Sequence, residues 1–428
     1  TRYSLLTGAY AFRTKGTGIA PPAAPAIIQP GTPTLPAMLK GAGYRTAVVG
    51  KWHLGLGGPD GPDWNGEIAP GPLDIGFDHC LLLPTTNDRV PQVYVEDRRV
   101  VGLDPADPIQ IHPDQPSPDH PTGLTHRDQL RMDWTHGHNN TIHNGIGRIG
   151  FYTGGEKARF RDEDLADEWV KRAVAWMGQG GEEPFFLFFA SHDPHVPRMP
   201  HERFQGTTPH GPRTDSIVQL DWCVGELMAA LDRLGIAQET LVVFCSDNGP
   251  VMDDGYVDGA LEKVGEHRAA GPFKGGKYSV YEGGTRTPFL VRWPGTVAPG
   301  VSDEIVSTID LFASFAKLTG GNPGGAADSE NMLGALLGEE GAKGRAELVQ
   351  QDNGPSNFGF RSGNWKLVRY DSQKARNPVV EAPREIIPVP RFQLFDLASD
   401  PGETKDLLEH KPELAVKLKK RLEEIVGR

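Results

Sequence analysis

The sequence contains little cysteine, and its cysteines do not form a metal-binding pair. Only Cys80, Cys223 and Cys245 occur among 428 residues. Three is an odd number, and their spacing does not match that of a metal site. Cys223 and Cys245 lie in apolar helix and strand patterns, which is typical of small hydrophobic core residues.

The sequence also lacks a basic excess and any long apolar run. Its formal net charge is -12, whereas a general nucleic-acid binder normally presents a basic face. No apolar segment approaches the length of a membrane span. We therefore expect neither a nucleic-acid partner nor a membrane span, although a small cationic pocket can still lie within an acidic protein. A signal peptide is not visible, but the first residues resemble the interior of an element, so this observation carries little weight.

Glycine and proline are abundant, with 53 and 37 residues, which predicts many loops between short elements. The length favours one large α/β domain and a smaller second one. Glycine, alanine and asparagine cluster at 320–344 as in a linker, and three short alternating strands and a helix follow. We therefore predict a main domain at 1–340 and a small antiparallel α+β domain at 341–428.

Residues 241–245 form an unbroken apolar run. The run predicts a strand buried on both faces of a parallel sheet. It ends in Ser-Asp-Asn-Gly-Pro at 246–250. Ligands of open α/β sheets bind beyond the carboxyl ends of the strands, and Asp247 and Asn248 offer oxygens to a hard cation. A plain turn is the alternative, because these residue types also form turns.

Two further predicted strands also end in polar residues. The strand at 44–50 runs into Lys51 and His53, which point to the same side of an extended chain. The strand at 185–190 is followed by His195, and helices alternate with these strands in a doubly wound pattern. Each residue alone is compatible with a solvated turn.

Arg2 and Lys277 add two cations to this set. Lys277 lies in a glycine-rich loop after the third strand, and Arg2 lies at the start of the sequence. Cations and oxygen ligands at one sheet edge suit a tetrahedral dianion held against a hard metal.

Histidines are frequent between residues 56 and 150. Because no tight ligand spacing recurs, we interpret them as surface or substrate-loop residues rather than as a metal site. These residues are His112, His120, His126, His136, His138 and His143.

Several motifs together resemble the formylglycine-dependent sulfatases, of the arylsulfatase and glycan-sulfatase type, in the alkaline-phosphatase superfamily. The matching segments, in order, are 1–8, 43–55, 191–197, 246–250, 276–284 and 394–403. The resemblance covers nearly the whole chain. It implies a large, mostly parallel sheet sandwiched by helices, and release of inorganic sulfate from an organic sulfate ester.

The resemblance also implies roles for individual residues. Arg2 would stabilise the formylglycine and its bound sulfate, and Lys51 and His195 would bind sulfate oxygens. Lys277 would bind sulfate and, with His195, help to protonate the leaving alcohol. His53 would accept a proton from the sulfated intermediate, so that sulfate is expelled and the aldehyde is regenerated.

The metal and the substrate are assigned from the same resemblance. Asp247 and Asn248 would bind Ca²⁺, with Mg²⁺ as an alternative, and Thr86 would occupy a further sulfate-binding position. Two residues cannot complete the six to eight oxygens of a calcium shell, so weak metal binding is expected. His267 and Arg268, together with Arg198 and Asp258, are candidates for reading a sugar and its carboxylate. They are equally compatible with solvated loop charges.

The sequence departs from the family pattern at its start. Position 1 already lies beyond the cysteine or serine that becomes formylglycine, and the family's first strand with its metal-binding aspartates is missing. We therefore expect an N-terminally truncated sulfatase that is inactive as given. The whole protein would require a formylglycine-generating enzyme as partner and would be periplasmic or extracellular.

Two other functions remain open. A phosphate or phosphonate ester hydrolase of the same superfamily would use a similar fold. A non-catalytic protein could retain the pocket for a sulfated glycan, although binding alone would not require His53. The motifs at 193–199 and 275–284 favour a bacterial glycan sulfatase, with 6-sulfated N-acetylgalactosamine among the possible substrates.

Overall fold

The computed structural model describes residues 1–181, 183–354, 356–376 and 386–427. Its strands, in chain order, are β1 (Arg45–Lys51), β2 (His79–Leu83), β3 (Val95–Glu96), β4 (Arg99–Val100), β5 (Gln110–His112), β6 (Ile142–His143), β7 (Ile146–Gly147), β8 (Phe151–Thr153), β9 (Phe185–Ala190), β10 (Val242–Cys245), β11 (Phe289–Arg292), β12 (Glu347–Gln351), β13 (Asn357–Ser362), β14 (Trp365–Tyr370), β15 (Lys374–Arg376), β16 (Ile386–Pro388) and β17 (Phe392–Asp396). The α-helices are α1 (Arg2–Thr7), α2 (Leu35–Gly41), α3 (Leu165–Gly178), α4 (Pro212–Arg233), α5 (Glu282–Thr285), α6 (Leu311–Thr319), α7 (Leu333–Leu337) and α8 (Pro412–Val426).

The central sheet is mixed and has the order β4-β3-β2-β1-β9. β1 lies between β2 and β9 and runs parallel to both, while β3 and β4 add antiparallel strands at one edge. Because β1, β2 and β9 are parallel, their carboxyl ends meet at one edge of the sheet. That edge carries the residues after Lys51, Leu83 and Ala190.

Helices cover both faces of this sheet. Successive side chains of β1 point to opposite faces, so both faces present apolar groups to the helices. Val48 packs in a core with α1, α2 and α6. Val49 points to the opposite face and packs with Leu165, Trp169 and Ala173 of α3. The apolar pattern at 162–177 predicts a helix with these three residues on one face, together with Trp176 and Met177. The predicted α/β class with a sandwiched sheet is therefore confirmed.

β10 differs from the prediction for residues 241–245. It pairs antiparallel with β11 in a two-stranded sheet, and its four residues are half-buried rather than fully buried. An apolar run can form a half-buried antiparallel strand as readily as a buried parallel one, so composition alone could not separate the two. The polar residues at 246–250 still follow the strand directly.

A second sheet lies in the C-terminal part, where β12, β13, β14 and β17 pair antiparallel in that order. Helix α8 packs Leu418 and Leu422 against Phe360 and Leu367 of this sheet. The predicted antiparallel α+β arrangement is confirmed, and β13 is an additional strand. The domain boundary near residue 340 stays a prediction.

No helix in the four described ranges is long and apolar enough to cross a membrane. The apolar patterns predict helices at 162–177 and 215–234, and the bounds of α3 and α4 lie within three residues of these. Ile217 was predicted to be buried in the second helix, but it is exposed. Gln219 is buried instead and donates to Asp193 at 2.9 Å.

Candidate active site

A large cleft of about 2430 Å³ extends from the carboxyl edge of the central sheet along β11 to β12. Seven of the ten site residues predicted from the sequence line it. They are Arg2, Lys51, His53, His195, Asp247, Asn248 and Lys277. They come from α1, the end of β1 and the loops after β9 and β10, so the folded chain gathers residues that are up to 275 positions apart in sequence.

Lys51 reaches the cleft because β1 and β9 approach closely at their ends. Gly50 has a φ of 113°, and a Cβ there would lie 2.1 Å from the Ala190 carbonyl oxygen. Only glycine therefore fits this position. The Lys51 side chain is buried, and its pKa is lowered well below the usual range by burial and by the charges of Arg2 and Lys277.

His53 adopts a left-handed backbone conformation, with a φ of 51°. Such a conformation is costly for a residue with a Cβ and often marks a functional site. Its Nε2 donates to the Ala20 carbonyl oxygen at 3.0 Å. Nδ1 is therefore the nitrogen without a proton in the neutral ring. Burial and the charges of Lys51 and Arg2 lower the pKa of His53 to about 3, so the ring is neutral near pH 7.

His195 and Lys277 form a second polar pair in the cleft. The Nδ1 of His195 donates to the Val196 carbonyl oxygen at 2.8 Å, which leaves Nε2 as an acceptor. Lys277 Nζ lies 3.4 Å from this Nε2. The pKa of His195 is lowered well below its usual range by burial and by the nearby charges of Lys51 and Lys277. A neutral His195 can therefore accept a hydrogen bond from the Lys277 ammonium group.

Asp254 was not among the predicted site residues. Its Oδ2 accepts from Lys277 Nζ at 2.6 Å, and its Oδ1 accepts from the Tyr278 hydroxyl at 2.7 Å. Burial would lower the pKa of Lys277, but the charge of Asp254 raises it above the usual value. Lys277 is therefore held as a cation in the cleft. Asp254 lies six residues after Asn248 in a loop rich in acidic residues. Because acidic loops are common, this position alone does not predict a site residue.

Asp247 and Asn248 follow β10 in a tightly packed turn. A Cβ at Gly249 would lie 1.8 Å from the Gly283 carbonyl oxygen, which brings this turn against the start of α5. Arg2 Nη2 donates to Asp247 Oδ2 at 3.0 Å. Although burial opposes ionisation, the charges of Arg2 and Lys51 keep the pKa of Asp247 well below its usual range.

These two residues do not by themselves fit a calcium ion. Within the described residues, no group of three or more histidine, cysteine or acidic side chains is arranged to hold a metal. Asp247 already pairs with Arg2, and Asn248 Nδ2 donates to the Gly249 carbonyl oxygen at 2.9 Å. Calcium needs six to eight oxygens. We therefore assign no step of the chemistry to a metal held by these residues alone.

A further group on the cleft wall was missed by the sequence reasoning. Asp88 Oδ2 lies 2.9 Å from Arg89 Nη1 and 3.0 Å from His138 Nε2. His138 Nδ1 also donates, to the His136 carbonyl oxygen at 2.7 Å. Burial alone would raise the pKa of Asp88, but Arg89 and His138 hold it well below its usual range. These residues line the cleft. The polar sequence at 85–89 could have indicated this group, because it follows β2 at the same edge of the sheet.

The remaining three predicted site residues do not line the cleft in the described part of the chain. Thr86 is buried behind the wall, where it donates to Asp88 Oδ1 and accepts from Arg89 Nη1 at 2.9 Å. His267 and Arg268 are exposed, and the His267 ring lies 6.0 Å from the His210 ring. Binding roles for these three residues stay predictions.

Arg198 and Asp258 do not fit the sugar-reading role considered for them. Arg198 Nη1 donates to Asp258 Oδ2 at 2.6 Å, and both side chains are about 3% exposed. The guanidinium also donates to the carbonyl oxygens of Val251 and Met252. Both side chains are therefore buried and stabilise the loop that carries Asp254.

The cysteines are not candidates for a nucleophile in the cleft. Cys80 and Cys223 are buried, Cys245 is half-buried and all three are free thiols. Burial raises the pKa of Cys245 to about 11 and raises those of the other two further. None of the three lines the cleft among the described residues. They pack as small hydrophobic residues, as the apolar patterns around two of them predicted.

The cleft thus holds cations, a neutral histidine with an available Nδ1 and an ammonium group beside a second neutral histidine. Lys51, Arg2 and Lys277 offer N–H donors suited to an oxyanion, and the ammonium of Lys277 can give a proton to a leaving oxygen. Fold and site together define a hydrolase of oxyanion esters.

Comparison with known proteins gives the same class. The sulfatase family model matches residues 1–321. An N-acetylgalactosamine-6-O-sulfatase from Bacteroides thetaiotaomicron is 44% identical over 432 residues, covering 100% of this chain and 83% of that protein. Arylsulfatase A from Bos taurus is 31% identical over 394 residues, covering 89% and 68%.

Solved structures agree with these matches. A sulfatase structure from work on glycosaminoglycan metabolism by Bacteroides thetaiotaomicron is similar, with a TM-score of 0.95 and 44% identity, over 100% of this chain and 88% of that one. The phosphonate monoester hydrolase of Agrobacterium radiobacter has a TM-score of 0.53 at 14% identity, covers 100% and 85% of the two chains, and shows a likeness of fold alone. The chain belongs to the sulfatase family. It is a sulfuric ester hydrolase, as the motifs predicted.

Proposed function

We propose that the substrate is a sulfated carbohydrate and that the first candidate is a 6-sulfated N-acetylgalactosamine. The observation that carries this proposal is the 44% identity, over the whole chain, to a sulfatase named for that sugar. The cationic cleft with Arg2, Lys51 and Lys277 provides the charge that a sulfate ester requires.

Each cleft residue has a part in the proposed reaction. Arg2 and Lys51 hold sulfate oxygens. His195, whose Nε2 is an acceptor in the neutral ring, orients the Lys277 ammonium. Lys277 gives a proton to the ester oxygen as it leaves. Negative charge grows on that oxygen in the transition state, so a fixed ammonium stabilises the transition state more than the substrate. His53 accepts a proton at Nδ1 when sulfate is released. The ring is neutral near pH 7, so its Nδ1 carries a lone pair that can take the proton.

The nucleophile in this proposal is a formylglycine made from cysteine or serine by a formylglycine-generating enzyme. It would supply the attacking oxygen when present next to Arg2. We also propose Ca²⁺, or Mg²⁺, as the metal near Asp247 and Asn248, with its other ligands coming from outside the described residues. Family membership supports both suggestions, and it also supports a periplasmic or extracellular location.

Arg89 is the proposed contact to the sugar. It lines the cleft and is partly exposed, with 16% of its side-chain surface accessible. Arginine forms strong hydrogen bonds to sugar hydroxyls or a carboxylate because its donors have a fixed geometry. Asp88 keeps this arginine in place, so the site is rigid before substrate binds.

The proposal is tested with the enzyme expressed from its whole coding sequence. Release of sulfate is measured from 6-sulfated N-acetylgalactosamine, its 4-sulfated isomer and 6-sulfated N-acetylglucosamine. The proposal predicts the highest kcat/KM for the first sugar. Equal rates on all three, or activity on aryl sulfates only, would contradict the assignment of the sugar.

The same preparation separates the other two functions. A phosphate or phosphonate ester hydrolase would cleave 4-nitrophenyl phosphate or a phosphonate monoester faster than 4-nitrophenyl sulfate. A binding protein would retain sulfated sugar in a salt-sensitive manner and would release no sulfate. The intact set of Arg2, Lys51, His53, His195 and Lys277 favours catalysis over binding.

A further inference from the structure

Asp254 uses both oxygens of its carboxylate to hold neighbouring residues. One oxygen accepts from Lys277 Nζ at 2.6 Å, and the other accepts from the Tyr278 hydroxyl at 2.7 Å. Asp254 is buried, with 6% of its surface exposed, at the wall of the cleft. A carboxylate with two fixed donors in a buried position cannot rotate away from its lysine without leaving unpaired polar atoms.

Asp254 and His195 are among the groups that hold the ammonium group of Lys277. It donates to Asp254 and lies 3.4 Å from the Nε2 of His195, which accepts because Nδ1 donates to Val196. Because the three N–H bonds of an ammonium group are tetrahedral, two fixed directions determine the third. The orientation of Lys277 in the cleft therefore depends on where Asp254 and His195 lie relative to each other.

Arg198 fixes that relative position. Its guanidinium donates to the Pro194 carbonyl oxygen at 3.2 Å, next to His195 in sequence, and to the Met252 carbonyl oxygen at 3.0 Å. It also pairs with Asp258 at 2.6 Å, beyond Asp254 in the same loop. One buried side chain thus joins the His195 loop to the Asp254 loop.

We propose that Asp254 is a positioning residue that aims the Lys277 ammonium at the ester oxygen leaving from sulfur. This inference rests on the proposed role of Lys277 as proton donor. When an oxygen nucleophile bonds to sulfur, the sulfur–oxygen bond to the alcohol breaks and its electron pair stays on the alcohol oxygen. That oxygen takes one proton from Lys277 Nζ, which becomes a neutral amine, and the Asp254 carboxylate keeps its charge throughout. Asp254 thus acts only through Lys277.

The test compares substrates that need the proton donor with substrates that do not. A sugar sulfate has a poor leaving group and needs protonation, whereas 4-nitrophenyl sulfate releases a stabilised anion. In the enzyme expressed from its whole coding sequence, Asp254→Asn should lower kcat for a 6-sulfated sugar about 100-fold, within the range of general acid catalysis. It should lower kcat for 4-nitrophenyl sulfate only a few-fold. An equal loss on both substrates would overturn the inference, because a merely structural role does not depend on the leaving group.

A matched control is available at the preceding position. Asp253 accepts from the Thr135 hydroxyl and the Gly255 amide, and it does not line the described cleft. Asp253→Asn should leave both rates unchanged. If Asp254→Asn fails to fold, as judged by thermal unfolding, Tyr278→Phe replaces it. That variant removes one donor from Asp254 and should give a smaller loss, again selective for the poor leaving group; an equal loss on both substrates would overturn the inference here too.

Lys277→Ala separates this inference from the proposed function. A loss selective for the sugar sulfate in Lys277→Ala but not in Asp254→Asn would overturn the inference alone. If Lys277→Ala is not selective either, Lys277 is not the proton donor, and both assignments fail. Selective losses in both variants support both.

Discussion

Lys366 Nζ lies 2.8 Å from Glu282 Oε1, and both side chains are at most 1% exposed. Glu403 lies on the other side of the same ammonium group, with Oε1 at 3.1 Å. Lys366 belongs to β14 of the C-terminal sheet, whereas Glu282 begins α5, five residues after Lys277. This buried network joins the C-terminal sheet to the segment that carries a proposed catalytic lysine.

Replacement of Lys366 with methionine should destabilise the fold strongly. Without the ammonium, Glu282 and Glu403 would face each other without their buried counter-ion, and removal of one partner of a buried pair costs about 3–5 kcal/mol. Urea unfolding of the variant measures the loss. The double variant Lys366→Met/Glu282→Gln leaves fewer uncompensated charges and should recover part of it. Equal stability of the single variant and the native chain would show that water or Arg361, 3.8 Å from Glu282, replaces the lysine.

His143 should make stability depend on pH between about 4 and 6.5. Burial and the charge of Arg148 lower the pKa of His143 to about 4, while an unfolded chain has the usual value of about 6.5. The unfolded state therefore binds the proton first as pH falls, and the folded state loses stability across this range. The shift corresponds to about 3 kcal/mol for this residue. Urea unfolding at pH 4.5 and pH 7.5 measures the difference.

The variant His143→Gln should make this dependence shallower by the share of His143, while His53 and His195, whose pKa values are also lowered, keep theirs. A glutamine can keep the hydrogen bond that His143 Nε2 donates to the Phe160 carbonyl oxygen at 2.7 Å, and it does not titrate. The exposed His267→Gln serves as the control and should leave the slope of the native protein. If both variants keep the same slope, His143 does not contribute to the pH dependence.

His53→Ala should allow one turnover and then stop. Binding and departure of the alcohol depend on Arg2, Lys51 and Lys277, which remain, whereas release of sulfate requires a base at the position of Nδ1. The expected result is one equivalent of alcohol per enzyme, with sulfate retained on the protein and detected by mass spectrometry. Multiple turnover at the native rate would rule out this role for His53.

Much of the fold was predictable because local patterns agreed with the final packing. The run at 44–50 is β1 within one residue at each end. Of the three C-terminal strands predicted at 348–351, 365–370 and 392–397, the second has the bounds of β14. β10 was predicted with the wrong pairing, since an apolar run does not record which neighbour lies beside it. β13 was missed, although Phe358 and Phe360 on one face are buried in the C-terminal core.

The site was predictable where residues follow strands directly. Lys51, His53 and Asp247 stand at or just beyond strand ends, where the fold itself brings them together. Asp254 and Arg89 were missed because each matters through a contact with a residue that is distant in sequence. Asp254 contacts Lys277, and Arg89 is linked to His138 through Asp88. The error for Arg198 has the same origin, because its partner Asp258 lies 60 residues away.

Arg89→Ala should weaken recognition of the sugar more than cleavage of the sulfate ester. Arg89 lies on the cleft wall and is held by Asp88 and Thr86, so its loss removes a fixed donor set that an aryl sulfate does not use. We expect kcat/KM for the 6-sulfated sugar to fall about 10- to 100-fold, which corresponds to the loss of one or two hydrogen bonds to a charged group.

The value for 4-nitrophenyl sulfate should change little. Arg127→Ala is the control, because Arg127 is exposed and pairs with Asp133 without lining the described cleft. A similar fall on both substrates would instead place Arg89 among the groups that hold the sulfate. In that case the charge of Arg89, which also lowers the pKa of His53, would act directly on the reacting centre, and recognition of the sugar would have to come from other residues.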